Sequence, residues 1–361
     1  MAADSTARKR VLIVDDSVFA RKILSEILSS SPRLEVVGIG CDGLDALAMV
    51  EALKPDVITL DVEMPRLNGL DTLRRLMKEH PTPVLMLSSL TEAGANESIE
   101  ALNLGAVDVM AKPHGSHSLG INTQKDELIA KVLAVASVQV SILSPIGYYK
   151  PRARVQLSLP ASTSFPVVMI ASSTGGPRAL RTIVPELTTA AGCAYVLVQH
   201  LPVGFSGPLA RDLNNLTDLN VRESSDGDVF RAGDAIFAKA GYHTIFDRHG
   251  KLQITTDPPL WGVRPSADVT MLSAVPHFGS RLVGVVLTGM GRDGANGARL
   301  IKESGGIVIA EHESSCVVYG MPRVTIESGI VDIIAPLTEI PDAIHDAVLK
   351  TAKGRGRKVA A

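Results

Sequence analysis

Two groups of residues in this chain have the types and spacing for chemistry. The stretch ASSTGGP (171–177) places two serines, a threonine and two glycines between the apolar run FPVVMI and a helix-like RALRTIV. Glycines on such a turn let backbone N–H groups approach a ligand, and a helix N-terminus favours developing negative charge. A serine hydroxyl is a weak nucleophile without a base. Of the nine histidines, His200 directly follows the run AYVLVQ, and Asp293 lies in the glycine-rich TGMGRDG after VGVVL. Serine, histidine and aspartate at the ends of three strands are the set that a nucleophile–base–orienter mechanism requires. Each also has a plainer reading: a Ser/Thr helix cap, a hydrogen-bonded strand-end histidine, and a cap for the helix ANGARLIKE.

The second group is acidic. Asp15 and Asp16 follow the run VLIV, and Asp61 follows VITL; Ser88 and Lys112 end two further apolar runs. If those runs are neighbouring parallel strands, three carboxylates meet at one edge and repel unless a cation sits among them. Oxygen-only ligands with open positions suit Mg²⁺, which keeps waters and accepts phosphate oxygens. A lone aspartate after a strand is an ordinary helix cap, but five polar groups at one edge favour a site.

The elements that must position these groups come in two alternating series. VLIV (11–14), VVGIG (36–40), VITL (57–60), VLMLS (84–88) and VDVMA (107–111) are each followed by an amphipathic, helix-like segment. Five such pairs predict a parallel sheet covered on both faces, with ligands at the carboxyl ends of its strands. The period breaks at SILSPIGYYKPRARVQLSLPASTS, which reads as a linker. A second series follows: VVMIA (167–171), AYVLVQ (194–199), AIFAKAG (235–241), LQITT (252–256), VGVVLTG (283–289) and IVIAE (307–311). The fold class is therefore α/β, with two doubly wound parallel-sheet domains. Residues 10–138 form the first domain, 139–164 the linker, 165–350 the second domain, and 351–361 a basic, disordered tail.

Bulk composition narrows the function classes. Hydrophobic residues make up 45% of the 361 residues and charged residues 20%, with a net charge of -2. That leaves no electrostatic footprint for nucleic acid or an anionic membrane surface, and a second α/β series disfavours a DNA-binding output. Cys41, Cys193 and Cys316 are far apart and odd in number, which argues against disulfides or a zinc site; all three read as buried small hydrophobes. No stretch approaches the ~18 apolar residues of a membrane span, and MAADSTARKR lacks a secretory apolar core. A cytoplasmic protein without membrane insertion is expected.

VDDS (14–17), DVEMPRLNGL (61–70), MLSS (86–89) and AKP (111–113) resemble the receiver domain of two-component response regulators. The resemblance implies a flavodoxin-like domain in which Asp61 is the phosphoacceptor, Asp15, Asp16 and Asp61 hold Mg²⁺, and Ser88 and Lys112 contact the phosphoryl group. The position three before the lysine, often aromatic in receivers, is Val109. The segments ASSTGGP, VLVQHLPVGFSG, RPSAD, LTGMGRDGANG and YGMPR are similar to the Rossmann-like catalytic domain of chemotaxis protein-glutamate methylesterases. Joined to a receiver, they identify the chain as resembling that family over nearly its whole length.

This second resemblance implies that Ser173 attacks glutamate γ-methyl esters on methyl-accepting chemotaxis receptors, with deamidation of particular receptor glutamines as a second activity. His200 is then the base, Asp293 its orienter, and the Met290 backbone N–H an oxyanion donor. A chemotaxis histidine kinase supplies phosphate, and the unphosphorylated receiver shields the esterase groove. The competing class is a response regulator whose degenerate esterase domain only binds a partner. The family elbow is usually Gly-Ala-Ser-Thr-Gly-Gly; here Ala171 and Ser172 fill the first two places. Of the two serines, Ser173 has a small residue two before it and a glycine two after, the spacing of an exposed elbow hydroxyl; Ser172 is expected to point back toward the strand end. Residues 264–268 and 320–322 could line a substrate groove or serve turns, and His243 is expected beyond a strand as a satisfied structural histidine.

Overall fold

The computed structural model describes residues 7–89, 91–113, 121–138, 165–189 and 192–353. The chain separates into two compact units, Met1–Ile146 and Gly147–Ala361. The expected linker, 139–164, lies outside the described residues, as do residues 354–361 of the expected tail; residues 351–353, expected in that tail, instead close the last helix.

In the first unit, β1 (Lys9–Val14), β2 (Leu34–Gly40), β3 (Val57–Asp61), β4 (Val84–Ser88) and β5 (Asp108–Ala111) alternate with α1 (Val18–Ser29), α2 (Gly43–Leu53), α3 (Gly69–Glu79), α4 (Glu92–Leu104) and α5 (Ile121–Val135). The strands pair in parallel in the order β2-β1-β3-β4-β5. They read as continuous apolar runs because helices cover both faces, and Val11 to Val14 are fully buried. The order reverses at β1, so the crevice between the carboxyl ends of β1 and β3 is the topological switch point. Helix starts are capped by Ser17, Asp42, Asn68 and Thr91. Cys41 departs from expectation: it follows the edge strand β2 and is exposed, with its thiol 3.0 Å from Asp45 Oδ2.

The second unit contains β6 (Val167–Ser172), α6 (Gly176–Ile183), β7 (Ala194–Gln199), α7 (Ser206–Asn214), β8 (Asn220–Glu223), β9 (Asp234–Phe237), β10 (His243–Phe246), β11 (Leu252–Thr255), α8 (Ala267–Phe278), β12 (Leu282–Val286), α9 (Ala295–Glu303), β13 (Ile307–Glu311), α10 (Met321–Glu327), β14 (Ile333–Ala335) and α11 (Ile340–Lys353). Seven parallel strands form one sheet in the order β14-β13-β12-β6-β7-β9-β8. Here the switch point lies between β6 and β12.

Two sequence expectations change. LQITT does not join the main sheet; as β11 it pairs antiparallel with β10, and His243 opens β10 rather than lying beyond a strand. The short strands β8, β10 and β14 carried too few apolar residues for periodicity to detect. One sheet face buries Val167, Met169 and Ala171 of β6 with Val196 and Val198 of β7 against α8 and α9. Phe230, Phe246 and Phe278 extend that core as edge-to-face pairs with centroids 5.1–6.2 Å apart.

Candidate active site

The β6–α6 turn is sharp because Gly175 is left-handed at φ 79° and Pro177 occupies the first turn of α6. A Cβ on Gly175 would lie 2.4 Å from Val317 Cβ, so packing as well as φ demands glycine there. The two serines separate at this point. Ser172 ends β6 fully buried and donates its hydroxyl to Gln199 Oε1 at 2.6 Å. Ser173 stands just past the strand end and is 8% exposed, and its backbone N–H is bound by Thr288 O at 3.1 Å.

His200 follows β7 and Asp293 follows β12, so both strands flanking β6 deliver a group to its carboxyl end. His200 Nε2 lies 2.8 Å from Asp293 Oδ2. The remaining ring nitrogen, Nδ1, has no hydrogen bond among the described residues. Asp293 does not cap α9, whose N-cap is Gly294. Its carboxylate turns instead to the start of α8 and accepts from Ser266 Oγ (2.6 Å), Ala267 N (2.6 Å) and Asp268 N (3.0 Å). Burial pushes this acid up, but the hydrogen bond and charge of His200, with hydrogen bonds from Ser266 and the Asp268 backbone, outweigh it and hold Asp293 below the usual carboxylate range. An anionic orienter is thus built into a helix N-terminus.

The loop after β12 packs on the elbow. A Cβ on Gly289 would lie 2.8 Å from Ser173 Cβ and 3.0 Å from Ser173 N. The next residue, Met290, is 36% exposed, and its N–H has no hydrogen-bond partner among the described residues. Thr288 locks this loop, donating Oγ1–H to Thr174 O and N–H to the buried Glu311.

In the first unit, Asp15, Asp16 and Asp61 offer ligand atoms all within 4.8 Å of one another. Neither Asp15 nor Asp16 caps α1, since Ser17 does; Asp15 Oδ1 accepts from Ser17 N, and Arg21 Nη1 holds both backbone carbonyls. Lys112 Nζ lies 2.9 Å from Asp15 Oδ2 and 2.7 Å from Asp61 Oδ2. Burial, with the neighbouring charges of Asp15 and Asp16, pushes Asp61 up to about 6 despite Lys112. Ser88 is buried at the end of β4, where Lys112 N binds its carbonyl. Val109 is fully buried in β5.

Two family descriptions match the chain: "Response regulator receiver domain" over residues 11–121 and "CheB methylesterase" over 168–344. The protein-glutamate methylesterase/protein-glutamine glutaminase of Symbiobacterium thermophilum is 47% identical, covering 94% of this chain and 97% of its own. The chain belongs to the CheB methylesterase family. A relative of the same description from Pyrococcus abyssi is 45% identical over 95% of each chain. The crystal structure of the Thermotoga maritima CheB methylesterase catalytic domain aligns at 38% identity and TM-score 0.49, over 51% of this chain and 98% of that one.

Around the site of this CheB family member, Gln199 and Trp261 carry roles that the sequence does not signal, while Ser266 and His243 gain specific partners. In sequence Gln199 is only the end of an apolar run; both faces of β7 are buried, so alternation gives no sign of its partners. Ser266, within RPSAD, is both the N-cap of α8 and a ligand of Asp293. His243 is buried and fully used: Nδ1 accepts from Ser266 N at 3.2 Å, and Nε2 faces Pro258 O at 3.2 Å. Trp261, half exposed, donates to Asp268 and lies under the Arg292 guanidinium, 5.0 Å from its ring. No signal short of the fold joins these positions.

Proposed function

We propose that Ser173, His200 and Asp293 carry the hydrolase activity of this receiver-linked chemotaxis methylesterase, acting on glutamate γ-methyl esters of chemoreceptors. The observation that carries the reading is the His200–Asp293 bond beside an elbow serine. Ser173 Oγ attacks the γ-carbonyl carbon while His200 takes its proton. Nδ1 is the nitrogen for this transfer, because Asp293 engages Nε2. The Met290 N–H supports the oxyanion, a contribution of roughly 3 kcal/mol per donor in such sites. Collapse breaks the C–OCH₃ bond, His200 returns the proton, and methanol leaves. Water then attacks the acyl-enzyme, giving its proton to His200, and glutamate and Ser173 are restored. With a glutamine side chain the leaving group is ammonia.

In the receiver domain, Asp61 is the phosphoacceptor and a chemotaxis histidine kinase the phosphodonor. The donor set fits Mg²⁺: Asp15, Asp16 and Asp61 would hold it, and their mutual repulsion supports a resident cation. When bound, it neutralises charge on phosphoryl oxygens. Ser88 and Lys112 contact the phosphoryl group. Unphosphorylated receiver shields the esterase groove, and the enzyme works in the cytoplasm.

The test is methanol release from methylated receptor by wild type and Ser173→Ala, with and without a small phosphodonor. Ser173→Ala is expected to be inactive; wild-type turnover by it would refute the assignment. A fragment beginning at Leu159 that worked no faster than the unphosphorylated whole chain would exclude shielding.

A further inference from the structure

β6 and β7 pair in parallel with Ser172 opposite Gln199, and both side chains fall on the sheet face away from α8. Strand alternation places Val168, Ile170 and Ser172 on this face with Tyr195, Leu197 and Gln199. A glutamine is thus fully buried at the position where each strand hands over to a proposed catalytic residue. Both of its amide hydrogens and its oxygen are engaged. Nε2 donates to Ser173 O at 2.8 Å and to His200 O at 2.9 Å, and Oε1 accepts from Ser172 Oγ at 2.6 Å. Space has been cleared for it, since a Cβ on Gly176 would lie 1.8 Å from Oε1.

We propose that Gln199 is a positioning residue that ties the backbone of the nucleophile to that of the base, with Ser172 orienting the carboxamide. The proposal rests on the reading of Ser173 and His200 as nucleophile and base. Two carbonyls converging on one NH₂ group cannot accept the flipped amide, whose oxygen would face both. The hydroxyl of Ser172 then supplies the donor that Oε1 needs. Because the elbow carbonyl and the histidine carbonyl share one rigid group, the two side chains inherit a fixed separation. A misplacement of about 1 Å between reacting groups costs on the order of 10²-fold in rate.

The experiment measures kcat and KM for methanol release by the full-length chain with phosphodonor, for Gln199→Leu, Gln199→Glu and Ser172→Ala, alongside Ser173→Ala and His200→Ala. Melting is followed in parallel. Gln199→Leu and Gln199→Glu are expected to lower kcat by about 10²-fold at unchanged KM, because neither presents the NH₂ donors. Ser172→Ala keeps them and is expected to recover most of that loss. If a Gln199 variant melts cooperatively and retains wild-type kcat, or if Ser172→Ala is as impaired as Gln199→Leu, the proposal is overturned. If the Gln199 variants fail to fold, Ser172→Ala decides: a partial fall in kcat at unchanged KM supports the proposal, and a wild-type kcat, with or without a change in KM, overturns it. Retained turnover in Ser173→Ala and His200→Ala would instead overturn the underlying catalytic reading.

Discussion

Replacing Asp293 by asparagine tests the electrostatic logic of the site with almost no change in shape. The carboxylate accepts four hydrogen bonds, two on each oxygen: Ser266 Oγ and Asp268 N on Oδ1, Ala267 N and His200 Nε2 on Oδ2. Asparagine supplies one oxygen and one NH₂ group. With NH₂ in place of Oδ2, it opposes the Ala267 N–H and makes Nε2 an acceptor, which puts the imidazole proton on Nδ1, the nitrogen that must take the proton from Ser173. With NH₂ in place of Oδ1, it opposes the Asp268 N–H, and the imidazolium formed during catalysis faces a neutral amide. Either orientation strands one buried donor, at about 1–3 kcal/mol of stability. The catalytic loss should exceed this, because a histidine in the wrong tautomer or without an anionic partner costs about 10⁴-fold in comparable triads. Methanol release from methylated receptor should therefore fall about 10³- to 10⁴-fold in kcat. Substrate binding should change little, because Asp293 is buried behind His200. A folded Asp293→Asn enzyme with kcat within tenfold of wild type would refute the role of Asp293 as orienter.

Asp61 makes a pH prediction. Its native pKa of about 6 lies above the ordinary 3.8, so the native receiver holds this proton more tightly than the unfolded chain does. Stability is therefore lost as pH rises between those values, and the full deficit of up to about 3 kcal/mol is present above them. Asp61→Asn should raise receiver stability at pH 7.5 but hardly at pH 4, read by hydrogen exchange of β1 and β3 amides; equal effects at both pH values would contradict the burial argument. Gly289→Ala should push the elbow serine out of place and cut kcat by at least about tenfold, and wild-type kcat in this variant would show that the loop after β12 does not set the position of Ser173.

Much of this protein was legible from residue order. Continuous apolar runs separated by amphipathic segments demand parallel strands covered on both faces, because only a buried strand can be apolar on both sides. Polar residues directly after such runs, Asp15, Asp61 and His200 among them, therefore had to lie at strand carboxyl ends, with Ser173 and Asp293 in the turns that follow two more of them. The glycines of ASSTGGP and the following Pro177 marked a strand-to-helix elbow for the same local reason. What the sequence could not determine depends on which strands become neighbours. The order β12-β6-β7 sets Ser173 between the ends that carry His200 and Asp293, and strand order is set by packing over the whole sheet. It turned Asp293 away from the helix that follows it and onto the start of α8, where Ser266 and two backbone N–H groups hold its charge. Ser172 and Gln199, 27 residues apart, became one buried hydrogen-bonded unit only through the register of β6 on β7. Short strands such as β8 and β14, four and three residues long, were invisible beforehand because their neighbours, rather than any run long enough to show a period, make them strands. Local chemistry named the residues; the tertiary fold chose their partners, because hydrogen bonds form between atoms that the sheet brings within about 3 Å.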